Sequence, residues 1–360
     1  MSRFHTLKIA AINKETQDSV SVSFEVPAEL TSNFSYKAGQ YLTMKLNVNG
    51  ENINRSYSFC SSPYTGELMT IAVKKVDGGR ASNFINDVLK VGDSIEIMEP
   101  NGNFHADFSA SHQKHYLLFG GGSGVTPLFS ILKSVMLLEP NSKVTLFYGN
   151  RDEQSIIFHQ ALKDLQAKYA DRIKIVHVLN AATPSLPSYT GLFNRELVVK
   201  MLQEQTDSNF ANAEVFICGP TPMMKETEAA LGLLNIAKEK IHIEYFTEKS
   251  AEDKVAATIG TAASEPFEGK TKVKIIYDGN EAEFEVTEKE HILSAALDAG
   301  FDPPYSCMVA ACCTCRAKLL SGNVVMDDRE SLTDAEIEKG YVLTCQARAK
   351  SHGIVLNFDL

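Results

Sequence analysis

Four cysteines near the C-terminus hold the most legible chemistry in this chain. Cys307, Cys312, Cys315 and Cys345 are spaced C-x4-C-x2-C, with the fourth following after 29 intervening residues. Three thiolates on one short loop can grip most of a metal centre. The fourth returns at the end of the apolar run Tyr341-Val342-Leu343 and can close it. This is the ligand spacing of a [2Fe–2S] cluster. Four soft sulfur ligands would also suit zinc, but structural zinc pairs C-x2-C with a second close pair, and here the last cysteine stands alone. Cys60 and Cys313 lack ligand spacing and read as structural.

Two further groups could hold nucleotides. Arg55-Ser56-Tyr57-Ser58 lies in a strand-like run, and Gly79-Arg80-Ala81-Ser82 opens a helical one. An Arg can pair with a diphosphate, a Tyr face can stack on a flat ring, and a Gly-led helix N-terminus can hold phosphate oxygens. A plain strand is the competing reading of so short a motif. Gly120-Gly121-Gly122-Ser123-Gly124-Val125-Thr126-Pro127 follows an apolar strand and opens a helix, a place where backbone N–H groups can cradle a diphosphate. Cys218-Gly219-Pro220-Thr221-Pro222-Met223-Met224 makes a second strand-to-helix turn, although a lone cysteine is by default a small buried hydrophobe. Tyr148-Gly149-Asn150-Arg151 ends a third strand. Arg151 there can accommodate a 2′-phosphate, with Ser155 assisting and Asp152 and Glu153 opposing. NADPH is therefore favoured over NADH.

These residues need three kinds of scaffold, and 360 residues suffice for two to three domains. Ser19 to Val26 alternates strictly, and strand-like runs follow at Tyr41–Val48, Arg55–Cys60, Leu68–Val76 and Ser94–Met98, with one helix near 81–89. Residues 1–110 thus read as an antiparallel sheet closing into a small barrel. Residues 111–247 alternate apolar strands with helices that begin near Thr126, Ser155, Phe193 and Thr221, a doubly wound parallel sheet. Residues 248–270, rich in Ala, Ser, Thr, Glu and Lys, read as a flexible tether. Residues 271–360 contain a hairpin around Asp278-Gly279-Asn280, a helix near 292–299 and the cysteine loop.

The motifs together resemble the ferredoxin–NADP reductase superfamily, joined to a C-terminal plant-type [2Fe–2S] ferredoxin domain of the α+β, β-grasp class. R-x-Y-S followed by a G-x-x-S helix start, G-x-G-x-T-P through Gly122, Gly124, Thr126 and Pro127, and C-G-P-x-x-M through Cys218, Gly219, Pro220 and Met223 occur here in the family's order. The resemblance implies that Arg55 and Ser82, with the Gly79, Arg80 and Ala81 turn, face a flavin diphosphate. It implies that Tyr57 packs on the flavin ring, that Ser58 sits by its reactive nitrogen with Ser56 alongside, and that main chain at Val73 and Lys74 lines the ribityl. Cys218 would lie against the nicotinamide, with Glu244 in the same site and Phe246 covering the flavin. Phe246 as a core residue is the alternative. Pro100-Asn101-Gly102-Asn103-Phe104 resembles the segment closing FAD-binding members, although some relatives use FMN. The cysteine segments resemble most those of the reductase subunits of ring-1,2-phenylacetyl-CoA epoxidases, which implies an oxygenase accepting electrons at the ferredoxin domain. Reductases serving a desaturase, another hydroxylase or a hybrid-cluster protein are alternatives, as is an iron–sulfur redox sensor. One departure is Met308-Val309-Ala310-Ala311, where related loops carry a basic residue and then a glycine.

Charge narrows the classes. The formal net charge is −10, and residues 271–360 hold 15 Asp+Glu against 9 Lys+Arg. This gives no basic footprint for nucleic acid, and it could steer the cluster end toward a basic partner. No nucleophile–base pair suggests hydrolysis. No run of about 18 apolar residues is present, the start lacks a signal-like core, and the odd cysteine count suits a reducing compartment. A cytoplasmic, non-membrane protein is expected.

Overall fold

The computed structural model describes residues 4–181, 183–247, 251–260 and 269–360. The first block is a six-stranded antiparallel sheet of β1 (Phe4–Thr16), β2 (Ser19–Glu25), β3 (Tyr41–Val48), β4 (Glu51–Ser58), β5 (Met69–Lys74) and β6 (Ser94–Asn101). Their order is β4-β3-β6-β1-β2-β5, and helix α1 (Arg80–Asp87) covers one end. Alternating side chains of these strands, among them Leu7, Val22, Phe24, Leu42, Met44 and Ile71, form one apolar core. Just past β4, Phe59 bridges Ile71 of β5, and Cys60 N donates to Thr70 O at 2.9 Å. The chain just past one edge strand touches the other edge strand there, through this isolated bridge.

The second block is a parallel sheet of β7 (His115–Gly121), β8 (Lys143–Asn150), β9 (Ile173–Leu179), the short β10 (Ser188–Thr190), β11 (Ala213–Cys218) and β12 (Ile241–Glu244), in the order β10-β9-β8-β7-β11-β12. Helices α2 (Val125–Leu138), α3 (His159–Lys168), α4 (Arg195–Gln205) and α5 (Thr221–Leu233) cover it. Tyr116, Leu118 and Leu146 pack on one face, and Leu117, Phe119 and Phe147 on the other, because successive side chains alternate faces and both are buried. The strand order reverses between β7 and β11, which opens a crevice at their C-terminal ends.

The third block is a mixed five-stranded sheet of β14 (Lys270–Tyr277), β15 (Asn280–Thr287), β16 (Arg316–Ser321), β18 (Tyr341–Leu343) and β20 (Ile354–Asn357), with α6 (Ile292–Asp298) packed on it and α7 (Asp334–Glu338) beside β18. A smaller sheet joins β13 (Ala257–Gly260), β17 (Asn323–Met326) and β19 (Ala347–Ala349). This differs from the reading of 248–270 as a tether. Residues 248–250 and 261–268 lie outside the described residues, but Ala257–Gly260 pairs antiparallel with Asn323–Met326 and buries Ile259. Edge pairing of the backbone orders this stretch despite its small side chains.

Candidate functional site

The four cysteines converge. Cys312, Cys315 and Cys345 are buried, while Cys307 is half-buried at the loop's mouth. The Cys307 sulfur is in hydrogen-bonding reach of the Cys312 and Cys345 thiols, and Cys345 also reaches Cys315. Those thiols, joined by the N–H groups of Val309 and Cys312, pull Cys307 well below the usual thiol range, while Cys312 and Cys345 are pushed up. Among the described residues no three such side chains have the geometry for a single metal ion; the sulfurs meet pairwise. Thr344 ties the Cys345 segment to Cys315 O through Oγ1 at 2.9 Å and N at 3.2 Å. Met308 and Ala310 hold the loop with φ of 63° and 58°, the left-handed region where glycine is favoured. The donor set and its enclosure fit a sulfur-ligated cluster. Cys313 is not among these sulfurs: its thiol donates to Asn101 Oδ1 at 3.4 Å.

Beside the loop lies a cleft of about 620 Å³ lined by Arg55, Ser56, Ser58, Glu244, Phe246, Cys307 and Cys312, among others. The first block's motif, the end of β12 and two of the four converging cysteines therefore share one space. Phe246 is 43% exposed there, which rules out its alternative as a core residue. Tyr57, expected over the flavin ring, is half-buried against the first block's core, its phenol pushed up by burial. Ser82 Oγ accepts from Val76 N at 3.1 Å and closes the turn that starts α1. A Cβ on Gly79 would lie 2.5 Å from that oxygen, so the turn requires glycine. Arg80 pairs with Glu51 at 2.7 Å. Glu244 is pushed up to about 8, first by burial and then by Cys307.

A second cleft, of about 940 Å³, opens at the strand-order reversal and is lined by Lys74, Gly121, Gly122, Asn150, Arg151, Phe193, Pro220 and Met223, among others. Helices α2 and α5 begin there with no side-chain cap, although Val125 N–H turns back onto Gly122 O and Ser123 O, and Pro127 and Pro222 offer no N–H. Their turns pack so tightly that a Cβ on Gly124 would sit 2.1 Å from Cys218 O, and one on Gly219 2.9 Å from Gly121 N. Thr126 Oγ1 donates to Ser123 O at 2.9 Å, and Pro127 fits the first turn of α2. The Asn150 side-chain amide is buried with neither atom hydrogen-bonded; the nearby Tyr148 hydroxyl donates instead to Gly122 O at 3.1 Å. An orphaned amide in a Gly-rich crevice fits a nucleotide. Ser155 does not line this cleft, since its hydroxyl and N–H close a capping box with Asp152. Arg151 pairs with Asp18 of the first block at 3.1 Å, and Lys74 approaches the same carboxylate at 3.7 Å.

Family models agree block by block. An oxidoreductase FAD-binding domain matches residues 6–106, an oxidoreductase NAD-binding domain 118–229, and a 2Fe-2S iron-sulfur cluster binding domain 275–350. A subunit of the 1,2-phenylacetyl-CoA epoxidase of Escherichia coli is 36% identical over 100% of this chain and 99% of its own length. This chain is a ferredoxin–NADP reductase superfamily oxidoreductase. The ferredoxin reductase component of a Rhodococcus rhodochrous 3-ketosteroid-9-alpha-monooxygenase is 33% identical to the reductase, covering 99% of this chain and 97% of its own. Among solved structures, phthalate dioxygenase reductase has a TM-score of 0.58 at 25% identity, over 99% of this chain and 98% of its own. The reductase is thus an electron-transfer enzyme using NAD(P)H, FAD and a [2Fe–2S] cluster.

Three residues of the reductase's site carry no signal in the sequence: Tyr41 beside the cluster loop, Asp18 on Arg151, and Ser306 opposite Ser56. Each acts across a block boundary, and no local motif marks it.

Proposed function

We propose that the reductase takes hydride from NADPH and delivers single electrons through its ferredoxin domain to an oxygenase, the phenylacetyl-CoA ring epoxidase. The cleft in which Arg55 and Ser58 face the same space as Cys307 and Cys312 carries the electron-transfer half of this reading. The full-length identity to the Escherichia coli epoxidase component supports the acceptor. When bound, FAD splits a two-electron input into single electrons and the cluster carries them.

The chain's own residues bind and orient. Gly122, Gly124, Thr126 and Pro127 offer the α2 N-terminus to the nucleotide diphosphate; Asn150 and Arg151 take the adenosine side, with Ser155 bracing their loop from behind. Cys218, Gly219, Pro220 and Met223 form the nicotinamide wall. Arg55, Gly79, Arg80, Ala81 and Ser82 face the flavin diphosphate, Val73 and Lys74 its ribityl, and Ser56, Tyr57, Ser58 and Phe246 its ring. Phe246, exposed at the cleft, would cover the ring. FAD rather than FMN fits the closing segment, where Gly102 has φ of 119° and Phe104 is buried. The Phe59–Ile71 bridge supports a barrel for the flavin domain, taken as 1–110, before a nucleotide domain of 111–247, a connector of 248–270 and a ferredoxin domain from 271. Among the described residues no helix is long and apolar enough to cross a membrane. Cytoplasmic placement, away from membrane and nucleic acid, suits the acidic charge and the seven unpaired cysteines.

The test mixes purified reductase with epoxidase components and phenylacetyl-CoA, and measures epoxide formed per NADPH consumed. Tight coupling is expected. Coupling to a 3-ketosteroid hydroxylase component instead would assign the reductase to the other acceptor.

A further inference from the structure

A polar seam joins the β3–β4 hairpin to the cysteine loop. Cys313 N donates to Tyr41 Oη at 3.1 Å, and that oxygen lies 3.3 Å from both Thr314 Oγ1 and Cys313 Sγ. Thr43 Oγ1 is 3.4 Å from Thr314 Oγ1, Ser56 Oγ donates to Ser306 Oγ at 2.9 Å, and Asn54 Nδ2 donates to Tyr305 O at 3.2 Å. At the rim, Lys45 pairs with Asp302 at 3.2 Å. Tyr41, Thr43, Ser306 and Thr314 are all buried, so leaving any of these groups unpaired would be costly.

Tyr41 also stands in a particular place. Tyr41, Glu244, Ala311 and Cys312 line both the flavin cleft and a second cavity of about 570 Å³, where Phe104, His242 and Leu332 bring the three blocks together. The tyrosine is part of the partition between them. A ring that merely filled the core would not need a hydroxyl with three partners on one loop. The phenol is fully enclosed and held well above its usual range by burial, so it stays neutral and moves no proton.

We infer that Tyr41 is a positioning residue for the flavin-to-cluster step: its hydroxyl takes the Cys313 N–H and fixes the Cys312–Cys315 turn against β3 at a set distance from the flavin cleft. The inference rests on the electron-transfer reading above. In each passage one electron leaves the reduced flavin and one enters the cluster, and nothing is exchanged with Tyr41 itself. Tyr41 sets the separation and the hydrogen bonding of the receiving loop. Small displacements matter there, as they do for any reacting pair.

The test uses the holoprotein with Tyr41→Phe, which keeps the ring, and Thr43→Val, which keeps Tyr41. Amide hydrogen exchange of the 307–315 segment reads the seam without turnover. Exchange about 10-fold faster is expected in Tyr41→Phe. Stopped-flow mixing with NADPH reads flavin reduction and cluster reduction separately. The ratio of the second rate to the first should fall about 10-fold in Tyr41→Phe and about 3-fold in Thr43→Val. Unchanged exchange and an unchanged ratio overturn the inference. If Tyr41→Phe holds less FAD or iron, Thr43→Val decides by the same two readings, and no change there also overturns it. A wild type whose flavin is reduced while its cluster never is would instead sink the electron-transfer reading.

Discussion

Cys218 and Glu244 stand directly opposite each other at the C-terminal ends of β11 and β12. Burial, and then the Glu244 charge, push the Cys218 thiol well above its usual range, so it stays protonated and is poorly suited to act as a nucleophile. Glu244 is itself raised from 4.5 to about 8. Between those values the folded chain holds a proton that the unfolded chain has lost. Stability from this group is full below the lower value and falls as pH rises toward the upper one. Denaturant titrations of apoprotein across that window should show a shallower fall for Glu244→Gln than for wild type. Equal slopes would remove Glu244 as the source.

Coenzyme choice should respond to two residues from different blocks. Arg151 is the cation at the strand end, but Asp18 already holds it at 3.1 Å, and Thr16 Oγ1 steadies that carboxylate at 2.8 Å. A 2′-phosphate placed at Arg151 would share the guanidinium with Asp18. Arg151→Ala is expected to raise KM for NADPH by about 10-fold, one charge-assisted contact's worth, and to leave NADH nearly unchanged. Asp18→Asn should lower KM for NADPH several-fold. Parallel changes for both coenzymes would show that neither residue reads the phosphate.

The cluster loop carries local strain. Ala310 is wholly buried with φ of 58°, a conformation costing a non-glycine residue about 1–2 kcal/mol. Ala310→Gly relieves this but loosens the unfolded loop, leaving a net gain of about 1 kcal/mol or less. Loss of the cluster's visible absorbance in air should therefore be slower in Ala310→Gly. An unchanged lifetime and an unchanged midpoint potential would mean that the alanine costs nothing.

The two glycine turns at the crevice tolerate no side chain. In Gly124→Ala the new methyl would meet Cys218 O at 2.1 Å, so the α2 and α5 turns must separate. Flavin reduction by NADPH should drop by about 100-fold, as misplacement of about 1 Å can cause. The FAD content, measured by absorbance after purification, should hold.

What is legible in the sequence is whatever repeats locally. The cysteine spacing, both glycine turns and the parallel strands stand out because each signal lies within one element and its turn. The run Tyr41–Val48 is readable because Leu42, Met44, Leu46 and Val48 alternate with Thr43, Lys45 and Asn47, although the structure buries its first four residues alike. The strand β1, thirteen residues long, is hidden because register shifts between Ile9 and Ala11, and between Lys14 and Thr16, break its alternation. The strand Ala257–Gly260 is hidden because its small residues announce nothing and its order comes from pairing with Asn323–Met326. Tyr41 is visible as a strand residue, but its partner Cys313 is 272 positions away. Only the packing of one block on another creates that contact.

In the proposed function a two-electron donor is oxidised at the flavin, and single electrons would leave through a cluster held by Cys307, Cys312, Cys315 and Cys345. Anaerobic titration of the holoprotein with NADPH, followed by electron paramagnetic resonance, tests this most directly. The expected result is bleaching of the flavin together with the signal of a reduced [2Fe–2S] centre, and loss of that signal alone in Cys345→Ser. Flavin bleaching with no cluster signal in the wild-type protein, or an intact signal in Cys345→Ser, would contradict it.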